Sequence, residues 1–353
     1  MKVLILGVNG FIGHSLAKRI LDETDWEVAG MDLESDRLQE LLDHPRMRFL
    51  EGDIAIHREW IEYHVKRSDV VLPLVAIATP ATYVTNPLGV FELDFEENLR
   101  IIRYAARYDT RVVFPSTSEV YGLCHDDAFD EFQSELVLGP IDKQRWIYSC
   151  AKQLLDRIIW ASGEQQGLRF TLFRPFNWIG PGLDDIDAAK EGSSRVMTQF
   201  LGHLLRREPL RLVAGGHQRR SFTFIDDGTD ALMKILANEG GVADRQIFNL
   251  GHPGNDCSIR ELAEHMRAIV AEYPGYEDVL EASQIEVVSE ADYYGKGYQD
   301  MPRRVPNVQN ARERLGWQPR VDLDQALRRT IAHYVQGAPR VTQVRRVGAR
   351  AAV

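Results

Sequence analysis

Five apolar runs punctuate the first half of the chain: "KVLILG" (2–7), "WEVAGMD" (26–32), "DVVLPLVA" (69–76), "RVVFPS" (111–116) and "RFTLFRPF" (169–176). Each is short and rich in β-branched or aliphatic residues, as a buried strand is. Between them lie stretches of helical spacing: "GFIGHSLAKRILDE" after the first strand, "FELDFEENLRIIRYAARY" before the fourth, and "YSCAKQLLDRIIWASGEQQG" before the fifth. Apolar strands regularly separated by helices predict a parallel sheet covered on both faces, the doubly wound α/β class. Ligands in that class bind beyond the carboxyl ends of the strands. After "FNWIGPG" the texture changes, with frequent Gly, Pro and Asp, a basic loop "GGHQRRSF", and helices at "SIRELAEHMRAIVAEY" and "DLDQALRRTIAHYV". We therefore expect a nucleotide-binding domain over 1–176 with a return segment near 222–252, and a smaller substrate domain over 177–221 and 253–336. The tail over 337–353 carries Arg340, Arg345, Arg346 and Arg350 without an acid, and reads as disordered.

Composition narrows the class. The 353 residues suffice for a large core, and no apolar run approaches a membrane-spanning length. A formal charge of −10 argues against a nucleic-acid partner, so cations that bind an anionic ligand must be local. The three cysteines, Cys124, Cys150 and Cys257, are scattered and lack metal-ligand spacing, which fits a reducing, cytoplasmic setting and no metal site.

"GVNGFIG" places Gly7, Gly10 and Gly13 between the first strand and first helix, with Phe11 and Ile12 between the last two. Glycines there permit a tight turn, backbone approach to a pyrophosphate, and close packing of helix on strand. Asp32, nineteen positions after Gly13, closes the second strand, where a carboxylate accepts both ribose hydroxyls and repels a 2′-phosphate. NAD is thus favoured over NADP. Asp53, followed by Ile54, is the expected adenine contact. "YSCAK" puts Tyr148 and Lys152 on one helix face, and a protonated lysine there is expected to lower the phenol's pKa so that Tyr148 can take a proton from an alcohol. "PSTSEVYG" (115–122) brings hydroxyls and an acid to a strand exit.

Together, "GVNGFIG", "PSTSEVYG", "YSCAK", "FRPFNWIGPG" and "QRRSFTFIDD" resemble the extended short-chain dehydrogenase/reductase family of nucleotide-sugar enzymes, which oxidise C4 of the sugar with NAD. Dehydratases of that family carry Asp-Glu where this chain has Ser118-Glu119, and simple 4-epimerases lack the Glu. A Ser-Glu pair is similar to the UDP-glucuronate decarboxylases. "GPIDKQRWIYS" and "YYGKGYQDMPRRVP" further resemble the decarboxylase branch that serves 4-amino-4-deoxyarabinose synthesis for lipid A, from Met1 to about Tyr334, with no preceding formyltransferase domain expected.

The resemblance implies that Ser118, Glu119, Tyr148, Lys152 and Arg304 are catalytic, with Thr117 and Ser118 touching the sugar. It implies substrate contacts at Ala78, Tyr83, Arg145, Asn177, Arg195, Arg211, Arg219, Arg220 and Tyr298. Arg303 stands where the family often has an uncharged residue, beside Arg304. UDP-glucuronate carries a diphosphate and a carboxylate, which suits such cations in an acidic chain. The resemblance implies release of UDP-4-keto-pentose with NADH, UDP-xylose being the alternative. A 4-epimerase, a 4,6-dehydratase and a non-catalytic NAD sensor are the rival readings. The helices through 91–108 and 149–163 carry Phe95, Ile102, Leu155, Ile159 and Trp160, more apolar surface than one sheet face needs, and are expected to pair in a homodimer.

Overall fold

The computed structural model describes residues 1–186, 195–295 and 297–337. Six strands of the first half, β1 (Lys2–Leu6), β2 (Glu27–Asp32), β3 (Met47–Glu51), β4 (Val70–Pro73), β5 (Arg111–Pro115) and β6 (Phe170–Pro175), join a seventh, Gln246–Leu250, in one sheet. Every neighbouring pair in it is parallel. The order runs from the seventh strand through β6, β5, β4, β1 and β2 to β3. The chain grows outward from β1 to β3, then crosses back to β4, so the order reverses beside β1. That reversal opens a crevice at the strands' carboxyl ends.

Side-chain alternation along β1 explains why the run is apolar throughout. Val3 and Ile5 belong to one core cluster while Leu4 belongs with Leu6 to another, so both faces are buried. The larger cluster continues from the sheet face into Met197, Leu204, Leu262 and Leu327. The smaller lobe therefore shares one core with the sheet instead of enclosing its own. Its strands are short: Arg219–Ser221 lies between Asp256–Ser258, antiparallel, and Arg303–Arg304, parallel. Pairing of Leu210–Val213 with Ile285–Val288 and of Trp178–Ile179 with Thr223–Phe224 completes the lobe.

Two departures from the sequence reading matter. The single helix expected over 91–108 is three pieces: Pro87–Phe91, a π-helical turn Glu92–Glu97, and Asn98–Tyr108. Periodicity does not register such a turn, because one added residue barely alters the apolar pattern; two polar side chains, Asp94 within it and Asn98 just after it, are buried. Of the expected tail, Gly337 closes the helix Leu323–Gly337, and 338–353 lie outside the described residues. No helix among the described residues is long and apolar enough to cross a membrane.

Candidate active site

The first strand ends in a turn that only glycine fits. Gly7 has φ +90°, and a Cβ there would stand 3.0 Å from the Val75 nitrogen. A Cβ on Gly13 would fall 2.2 Å from the Gly7 carbonyl oxygen. Helix α1 (Phe11–Glu23) starts from Gly10 with no side-chain cap and no acid in its first turn. Its first N–H groups and positive dipole end are thus open to an anion. Gly7, Gly10, Phe11, Ile12 and Gly13 all line one cavity of about 410 Å³, within the span of small-molecule pockets.

Asp32 lies off that cavity, at the end of β2, where its carboxylate accepts the Asn9 and Leu33 N–H groups, each at 2.8 Å. Burial pushes its pKa up, and the backbone donors oppose that rise. Asp53 accepts the Ala55 N–H at 2.8 Å and stabilises its own turn, with Ile54 buried beside it. Neither Asp53 nor Ile54 is on the cavity wall.

Beyond β5 the chain enters a one-turn helix, Ser118–Tyr121, capped by Thr117, whose Oγ1 accepts the Glu119 N–H at 3.2 Å. This turn directs Ser118 and Glu119 into the cavity. Arg145 donates to Glu119 Oε2 at 2.9 Å and Arg304 to Oε1 at 3.2 Å. Burial favours the protonated acid, yet the two guanidiniums outweigh it and hold Glu119 below its ordinary pKa. Glu119 rests as a carboxylate. Arg304 is pushed down to about 10, by burial and by the nearby Arg220. Arg220 in turn donates to Asp300 at 2.7 Å. Three cations, the buried Arg145 and Arg220 and the partly buried Arg304, thus face two carboxylates, Glu119 and Asp300, leaving one positive charge in excess. The Nε atoms of Arg145 and Arg304 are buried without a hydrogen-bond partner among the described residues.

Tyr148 and Lys152 come from the long helix Trp146–Gln166, both facing the cavity. The Tyr148 ring stacks on Tyr83 at 4.8 Å and 7°, and the nearby Thr117 opposes the rise of its phenol's pKa. Lys152 donates to the Pro115 carbonyl at 3.0 Å, with its ammonium 4.7 Å from the Phe114 ring centroid and 5.9 Å from that of Tyr148. The expected lowering of the phenol's pKa is not what the protein alone produces. Burial, then the carboxylates of Asp94 and Glu119, push Tyr148 above its ordinary value, and Lys152 is itself lowered by burial.

Ala78, Asn177, Arg195, Arg211 and Tyr298 also line the cavity. Asn177 sits at φ +39° and donates to the Ser221 carbonyl; Arg195 pairs with Asp184 at 3.0 Å; Tyr298 stacks on Tyr294 at 3.9 Å. Arg219 is the exception. It is turned to Asp256 at 2.9 Å and Glu261 at 3.3 Å, off the cavity. Adjacent residues of a strand point to opposite faces, so Arg219 and Arg220 cannot both face inward. The same rule separates Arg303, which reaches out to Asp127 at 2.6 Å, from Arg304.

Residues 3–251 match the model of the NAD-dependent epimerase/dehydratase family. The chain belongs to that family. Among solved structures it is similar to the PbgP3 protein from Burkholderia pseudomallei, at 57% identity over 95% of this chain and 96% of that one, with a TM-score of 0.86. It has the fold of UDP-glucuronic acid 4-epimerase from Bacillus cereus, solved with UDP-glucuronic acid and NAD, at 19% identity, 95% and 99% coverage and a TM-score of 0.78. A dTDP-glucose 4,6-dehydratase from Bacillus anthracis, solved with NAD, matches at 19% identity, 96% and 97% coverage and a TM-score of 0.77.

The cofactor of this epimerase/dehydratase family member is NAD. The chain fits it on its own geometry, with a cradle that a Cβ at Gly13 would fill and an uncapped helix start. Sequence reasoning missed Asp300 and Asp94. Asp300 had a readable signal, an acid just before the cationic "PRR", whereas Asp94 lay among several acids of one helical run.

Proposed function

We propose that this enzyme oxidises UDP-glucuronate at C4 and removes its C6 carboxylate as carbon dioxide. The observation that carries the reading is the Arg145–Glu119–Arg304 clamp, set in a buried cluster with one positive charge to spare. An unneutralised buried cation is costly, and a substrate carboxylate offsets that cost.

When bound, NAD supplies the acceptor for the C4 hydride. Gly7, Gly10 and Gly13 would admit its pyrophosphate and Asp32 would accept its ribose hydroxyls, while Asp53 and Ile54, off the cavity wall, would meet the adenine only beyond that wall. Tyr148 takes the C4 hydroxyl proton. The buried Lys152 ammonium, 5.9 Å from the Tyr148 ring centroid, would favour the phenolate that forms. The ketone at C4 then stands β to the carboxylate. The C5–C6 bond breaks, its electron pair enters the C4–C5 enolate, and carbon dioxide leaves. Ser118, in place of an acid, holds the carboxylate without protonating a leaving oxygen. Arg304 gives the proton that C5 gains and takes another from solvent, the ionised Glu119 favouring the recharged guanidinium. Arg220, Arg211 and Arg195 meet the diphosphate, and Ala78, Tyr83, Thr117, Asn177 and Tyr298 shape the space for sugar and base.

Nothing in this chemistry requires the ketone to stay for a second hydride transfer, so UDP-4-keto-pentose is the expected main product. Ile102, Leu155 and Ile159 are buried in the core, with Phe95 and Trp160 packed against it, so these residues are not the surplus apolar surface expected of them. The homodimer we also assign rests instead on Leu88 and Leu154, 71% and 46% accessible. A monomeric mass by light scattering at micromolar concentration would refute it. The decarboxylation itself is tested with UDP-glucuronate labelled at C6. Label should leave as carbon dioxide in step with turnover, and label retained in the sugar nucleotide would overturn the reading.

A further inference from the structure

Behind the turn that carries Glu119, polar side chains without a part in the proposed reaction form a continuous chain of hydrogen bonds. It starts on the cavity wall at Ser116, whose Oγ donates to Asp156 Oδ2 at 2.7 Å. Arg174 donates to the same Asp156 oxygen at 3.2 Å and to the Tyr121 hydroxyl at 2.9 Å. Tyr121 donates to Asn249 Oδ1 at 2.8 Å. Asn249 Nδ2 donates to the carbonyls of Phe129 at 2.8 Å and Asn307 at 3.2 Å. All five side chains are buried, Tyr121 and Asn249 completely.

The two ends fix the direction of the bonds between them. A guanidinium only donates, so the Tyr121 oxygen accepts from Arg174 and its own proton goes to Asn249. Backbone carbonyls only accept, so Asn249 must turn Nδ2 to them and Oδ1 to Tyr121. Arg174 and Asn249 are register partners on adjacent parallel strands, which sets both side chains on one face of the sheet.

The chain joins two segments that meet at the substrate. Tyr121 closes the one-turn helix that presents Ser118 and Glu119, and its ring packs on Phe129 at 4.6 Å. Phe129 holds the segment that follows Arg304: its N–H donates to the Val305 carbonyl and its carbonyl accepts the Asn307 N–H, both at 2.8 Å. One buried amide is thus bonded both to the Glu119 turn and to the backbone just after Arg304. Glu119 and Arg304 are 185 positions apart in the chain, so their 3.2 Å contact depends on how these segments are held together.

We propose that Asn249, acting through Tyr121 and the Phe129–Asn307 backbone, is a positioning residue that sets Arg304 against Glu119. The proposal rests on the roles given to those two residues above. Buried polar networks specify geometry when every member is satisfied, and fail when one member is lost.

Tyr121→Phe keeps the ring packing and removes one hydroxyl, which leaves Asn249 free to turn. Asn249→Asp keeps the shape but sets a carboxylate oxygen against two carbonyls. In Tyr121→Phe, kcat/KM for UDP-glucuronate should fall about 10-fold or more while NAD affinity is unchanged; Asn249→Asp should lose more. Made in an Arg304→Ala enzyme, Tyr121→Phe should cost nothing further, because no arginine remains to be placed. Amide hydrogen exchange at Phe129 and Asn307 should be faster in Tyr121→Phe, and unchanged along β1 and β4. The same loss in both backgrounds, the mark of a merely structural role, would overturn the proposal. So would wild-type kinetics in Tyr121→Phe, or unaltered exchange at the two amides. Should Asn249→Asp fail to fold, Tyr121→Phe still decides. A wild-type enzyme that does not turn over UDP-glucuronate would count against the substrate assignment alone, and exchange at Phe129 and Asn307 would still show whether Asn249 ties the two segments.

Discussion

The two ends of the cavity are built from different materials. At the cofactor end the site is backbone: a glycine turn at φ +90°, an uncapped helix start, and a Cβ position that would lie 2.2 Å from a carbonyl. At the sugar end it is side chain: five ionic groups, buried or partly buried, at residues 119, 145, 220, 300 and 304. A backbone site tolerates no added atom and meets an anion through fixed N–H groups. A side-chain site depends on charge balance and tolerates small changes of shape. The first selects a cofactor shared across the family; the second selects the substrate.

Gly13→Ala is the sharpest way to break the cofactor end. Its Cβ meets backbone and cannot be absorbed by a rotamer change, so NAD binding by calorimetry should be lost and stability should fall by about 1–3 kcal/mol. Normal NAD affinity would show that helix and turn are not close-packed as described.

Glu119→Gln is the corresponding test at the sugar end. It keeps shape and removes charge, so turnover should fall on the order of 10²-fold or more while UDP-glucuronate still binds. It should also change the pH dependence of stability. Because Glu119 is held below its ordinary value, its contribution is present above the unfolded value of about 4.5 and is lost as pH falls through the lower folded value. The variant should therefore be less stable than wild type near neutrality, with the gap closing in acid; a gap constant with pH would contradict the clamp.

Arg304→Ala removes the cation that meets the carboxylate both before and during bond cleavage. Both KM and kcat should suffer, by about 1.5–3 kcal/mol in kcat/KM. The smallest effect belongs to Arg219→Ala. This half-exposed side chain pairs with Asp256 away from the cavity, so kinetics should match wild type and stability should change by less than about 1 kcal/mol. A raised KM would return Arg219 to the substrate.

The same contrast decides what could be read in the sequence. "GVNGFIG" and "YSCAK" carry their meaning within a few residues, so the turn and the Tyr–Lys face were legible, as was the strand–helix alternation that makes the sheet. Glu119, Arg145 and Arg304 were nameable only through family resemblance, because their meeting depends on tertiary packing. The distinction between Arg219 and Arg220 needed strand direction, which a basic loop does not reveal. The phenol's pKa was misjudged because spacing shows that Lys152 is near Tyr148 but not that its ammonium is bound to Pro115 and opposed by buried carboxylates. The π-turn at Asp94 was hidden for a related reason: one added residue per turn barely alters the apolar pattern.

The most direct test of the central claim is NMR of the sugar nucleotides formed from UDP-glucuronate and NAD, with NADH followed by its absorbance in the same reaction. The account predicts a UDP-linked five-carbon 4-ketose with carbon dioxide and NADH released in equal amounts. UDP-xylose without net NADH would refute product release at the ketone stage and leave decarboxylation intact. A six-carbon product with its carboxylate retained, epimerised at C4, would contradict the account.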